Sequence, residues 1–65
     1  MDEKRLEAFE KMLVSVQTRY DETSAKLERL KQEGKTKTAT FRQLMGDKMI
    51  YGNILSIYRI YGLLD

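Results

Sequence analysis

The chain has no cysteine, histidine, tryptophan or proline. Without cysteine there are no disulfides, thiolate zinc sites or cysteine nucleophiles. Without histidine it lacks the usual metal ligand and the usual general base near neutral pH. Every long apolar stretch is interrupted by charge, so no run reaches the roughly 18–20 residues that a membrane-spanning helix needs. Met1-Asp2-Glu3-Lys4-Arg5 does not lead into an apolar h-region, so no signal peptide is expected and the expected location is cytoplasmic.

What remains is a 65-residue chain with room for one domain, residues 1–65. Twelve basic and ten acidic residues leave a net charge of +2. Residues 1–33 carry seven basic and eight acidic side chains, whereas residues 34–65 carry five basic and two acidic ones. Nucleic-acid binders concentrate Lys and Arg on one face, because affinity grows with each phosphate neutralised. Here the local excess is only Lys35, Lys37 and Arg42 around a connector, which reads first as a solvated turn.

Leu6, Phe9, Leu13, Val16, Tyr20, Thr23, Leu27 and Leu30 follow a 3-4-3-4-3-4-3 spacing. This is a heptad seam on a helix predicted from about residue 2 to 33, roughly 45–48 Å long. Asp2 and Glu3 suit its positive end and Lys31 its negative end. Glu7 with Lys11 and Glu22 with Lys26 are i,i+4 pairs in the favoured order. Gly34 is placed to end the helix in a left-handed conformation. Residues 34–40 lack periodicity and read as a turn, with Thr40 and Gln43 matching a capping box.

The second helix is predicted over about residues 41–61. Ile50, Ile54, Ile57, Tyr61 and Leu64 form one seam, and Leu44, Tyr51, Leu55 and Tyr58 form a second stripe beside it. Together they span roughly 180° of the helix, wider than the stripe of about 100° on an ordinary surface helix. Lys48, Gly52, Asn53, Ser56 and Arg59 are left as a narrow polar strip. Gly62 ends the helix, with Leu63 placed to pack back towards Tyr58. Gly46 and Asp47 interrupt the pattern and offer an alternative, a three-helix fold with a break at that dipeptide.

The expected fold is therefore all-α: an antiparallel two-helix hairpin that self-associates into a four-helix bundle. The second helix is the shorter one and is expected to leave Leu6 and Phe9 uncovered. The expected protein interface is Leu6, Phe9, Leu13, Ile50, Tyr51, Ile54, Ile57, Tyr58 and Tyr61. The burial that one hairpin lacks makes a second copy the expected partner, in a homodimer or, because Gly52 and Ser56 suit close approach of a further helix, a tetramer, with another helical protein as the next candidate.

No catalytic, metal or cofactor residue stands out. Glu3, Glu7 and Glu10 cluster without the histidine that bundle metal sites add, and no serine or lysine has a base to activate it. The expected function is a non-enzymatic oligomerisation or protein-interaction module that needs no cofactor. The alternative is a small nucleic-acid-binding regulator acting through the basic turn. Nucleic acid is the disfavoured partner and no membrane partner is expected.

Overall fold

A computed structural model describes residues 2–64. It contains two helices, α1 (Glu3–Gln32) and α2 (Ala39–Ile60), packed against each other. Phe9 of α1 meets Tyr58 of α2, while Tyr20 meets Lys48 and Gly52. Contacts that run backwards along α1 as they run forwards along α2 make the pair antiparallel.

The ends of both helices are set by local chemistry. Asp2 caps α1: its carboxylate accepts from the backbone N–H groups of Lys4 and Arg5 at 2.7 and 3.1 Å, satisfying donors that have no partner inside the helix. Gly34 and Gly62 both adopt φ of 73°. Each allows a Schellman closure: Gly34 N–H donates to Lys31 C=O and Lys35 N–H to Leu30 C=O, while Gly62 N–H donates to Arg59 C=O and Leu63 N–H to Tyr58 C=O.

The start of α2 departs from the sequence reading. The cap is Thr38, not Thr40, and the helix begins at Ala39. Thr38 Oγ accepts from Phe41 N–H at 3.1 Å and donates to the Lys35 carbonyl at 3.2 Å. Both functions of one hydroxyl are thereby used. Gln43 is released from the proposed box and donates instead to Asp47 Oδ1, one turn on, at 3.2 Å. That bond lies on the turn containing Gly46, and α2 runs unbroken through Gly46-Asp47. The three-helix alternative is thereby overturned. A glycine inside a helix costs only about 1 kcal/mol, and α2 accommodates it.

The seam of α1 is inward from Leu13 onwards: Val16, Thr23 and Leu27 are buried and Leu13, Tyr20 and Leu30 half-buried. On α2 Leu55 and Tyr58 are buried, and Phe41, Leu44, Asp47, Lys48, Tyr51, Gly52 and Ile54 are half-buried. Leu27, 3 % exposed, is the most completely enclosed side chain of the core. The Glu7–Lys11 and Glu22–Lys26 pairs do not close; the one ion pair among the described residues is Lys35 with Glu33, at 3.3 Å. Exposed pairs gain too little to hold two long side chains in one place.

Candidate interaction surface

Two apolar stripes on α2 compete for one groove on α1. Leu44-Tyr51-Leu55-Tyr58 takes it, and this rotation draws Lys48 and Gly52 inward as well, since both lie within about 60° of Leu55 at 100° per residue. The sequence reading placed these two on an outer polar strip. What the periodicity could not display is Tyr20. Its ring packs where Gly52 has no side chain, and a Cβ on Gly52 would stand 3.4 Å from Tyr20 Cε2. The ammonium of half-buried Lys48 lies over the same ring, 5.6 Å from the centroid, a cation–π arrangement. The close approach permitted by Gly52 therefore occurs inside the hairpin and not towards a further helix.

The other stripe faces outward. Ile50, Ile57 and Tyr61 are 57 %, 56 % and 75 % exposed, and Ile54 is half-buried on the flank. They run into an apolar groove at the open end, where Phe9 and Met12 of α1 face Ile54, Ile57, Tyr58 and Tyr61, with Leu63 closing it. Leu6, at the free end of α1, is about half exposed. Leu13 and Tyr51 are half-buried between the helices. Tyr58 is buried within the chain, its ring meeting Phe9 edge-on at a centroid distance of 5.3 Å and an interplanar angle of 74°, a favoured aromatic geometry. Phe9 is thus partly covered, because Tyr58 extends the reach of α2 beyond its backbone. Met49 and Ile60, on the opposite flank of α2, are also exposed.

The remaining chemistry is sparse. Among the described residues no group of three or more carboxylates converges on a point that suits a metal ion. Of the basic residues near the turn, Lys35, Lys37 and Arg42 are exposed, Lys35 beside Glu33, while Lys48 is half-buried against Tyr20. Among the described residues no helix is long and apolar enough to cross a membrane. Comparison with protein-family models, curated proteins and solved structures gives no match.

The shape gives this surface its meaning. The hairpin measures 48 × 20 × 18 Å. Its accessible surface is 5406 Å², whereas a compact monomer of this mass exposes about 4,300 Å². The surplus of about 1,100 Å² exceeds the roughly 800 Å² that each partner contributes to a standard protein interface.

Proposed function

We propose that this chain is a non-enzymatic self-association module, in which two hairpins pair through the outer stripe of α2 and the open-end groove to form a four-helix bundle. The observation that carries this reading is the exposed run Ile50, Ile57 and Tyr61 continuous with the Phe9–Met12 groove. A contiguous run of exposed apolar side chains marks an interaction site. A second copy is the simplest occupant because it brings an apolar stripe of matching length and the missing burial together.

Sedimentation over a wide concentration range tests it. The native chain should pass from monomer to dimer, and Ile54→Glu should abolish that transition by setting a charge in the centre of the contact. Because Ile54 is half-buried, that variant also stresses the hairpin. Ile57→Glu, on the outer side, should dissociate the dimer while helical circular dichroism persists. A native chain that stays monomeric at millimolar concentration overturns the reading and assigns the face to a different protein.

A further inference from the structure

The outer stripe has two unlike ends, and they fix the direction in which a second copy docks. Towards the turn the seam Tyr61-Ile57-Ile54-Ile50 continues at helical spacing into Asp47 and Gln43, which are hydrogen-bonded to each other. Towards the open end it meets the groove of Phe9 and Met12, and Arg5 borders the same two side chains. One side of the hairpin thus carries an apolar centre about 16 Å long, a carboxylate at its turn end and a guanidinium at its open end.

We infer that two copies dock antiparallel, α2 against α2, with the twofold axis between Ile54 and Ile57 and the Asp47 end of each copy against the Arg5 end of the other. This rests on the self-association proposed above and adds its orientation. In this pairing Ile54 meets the partner's Ile57 and Ile50 meets the partner's Tyr61, so apolar residues face apolar residues along the whole stripe. Laying the stripe on the partner's α1 instead sets it against Ser15 and Arg19, whose side chains are exposed and hydrogen-bonded to each other. A parallel α2–α2 pairing places Asp47 beside the partner's Asp47, and like charges brought together oppose association. Only the antiparallel arrangement exchanges that repulsion for an opposite-charge contact, which steers orientation more than it adds affinity.

The absence of cysteine makes the direction measurable, because Lys37→Cys creates a single labelling site in the exposed turn. Spin labels there should lie about 50 Å apart in an antiparallel dimer and within about 25 Å in a parallel one. A long distance from a sample whose mass is that of a dimer supports the orientation. A short distance with the same mass overturns it and leaves self-association standing. A monomer with no dipolar coupling overturns both. Asp47→Asn, which keeps an acceptor for Gln43, gives an independent reading. It should weaken dimerisation by about two- to thirty-fold, the range of two symmetry-related exposed ion pairs; strengthened dimerisation instead signals relieved Asp47–Asp47 repulsion and a parallel pairing.

Discussion

The two faces of α2 have nearly the same composition and different fates. The inner face carries Leu44, Tyr51, Leu55 and Tyr58; the outer carries Ile50, Ile54, Ile57 and Tyr61. Hydrophobicity alone does not choose between them. The inner face differs in what flanks it: Gly52 admits the Tyr20 ring, and the Lys48 ammonium lies over that ring. On the outer side Gly46 faces open space, with no atom within 4 Å of a Cβ placed there. Fold specificity in a short hairpin thus resides in a glycine and a lysine as much as in its leucines.

Equal truncations on the two faces should separate these roles most sharply. Leu55→Ala removes a buried side chain, 9 % exposed, and should cost about 2–5 kcal/mol in chemical denaturation. That loss should be present at every protein concentration. Ile57→Ala, from a side chain more than half exposed, should leave the monomer's stability within about 0.5 kcal/mol and should instead lower the dependence of the melting temperature on concentration. If both variants behave alike, the inner and outer faces are not distinct.

Much of the fold is written in periodicity. The seam from Leu13 to Leu30 is inward as its spacing demands, Gly34 and Gly62 close the helices where the pattern ends, and the helix bounds fall within two residues of those read from sequence. The cap at Thr38 was not legible, because the box pattern picks Thr40 with Gln43, whereas Thr38 has Phe41 three positions on and is fixed by its bonds to Phe41 N–H and the Lys35 carbonyl. The rotation of α2 was not legible either. Two stripes of similar character leave the choice to a long-range contact with Tyr20, which spacing within one helix does not report. For the candidate surface the consequence is a division: Ile50, Ile57 and Tyr61 remain exposed, while Tyr58 is occupied by Phe9.

The two interior glycines of α2 sharpen the same contrast at smaller amplitude. Gly46 faces open space and Gly52 faces the Tyr20 ring. Gly46→Ala should therefore raise stability by nearly the full helix-propensity difference, about 1 kcal/mol. Gly52→Ala gains the same propensity but sets its new methyl 3.4 Å from Tyr20 Cε2, so its gain should be clearly smaller. Thermal melts at one low concentration compare them directly. An equal gain at both positions means that Tyr20 does not depend on the missing side chain.

The smallest effect belongs to the Lys48 ammonium. Lys48→Gln keeps a polar tip and much of the stem but removes the cation 5.6 Å from the Tyr20 centroid. A partly exposed cation–π contact contributes about 0.5–1 kcal/mol, and the variant should lose about that much. Tyr20→Leu alone also removes the ring, so the informative quantity is the coupling between the two substitutions in a double-mutant cycle. A coupling near the single loss at Lys48 assigns the stabilisation to the cation over the ring. A coupling near zero reduces Lys48 to a packed hydrocarbon stem, and the choice of inner face then rests on Gly52 alone.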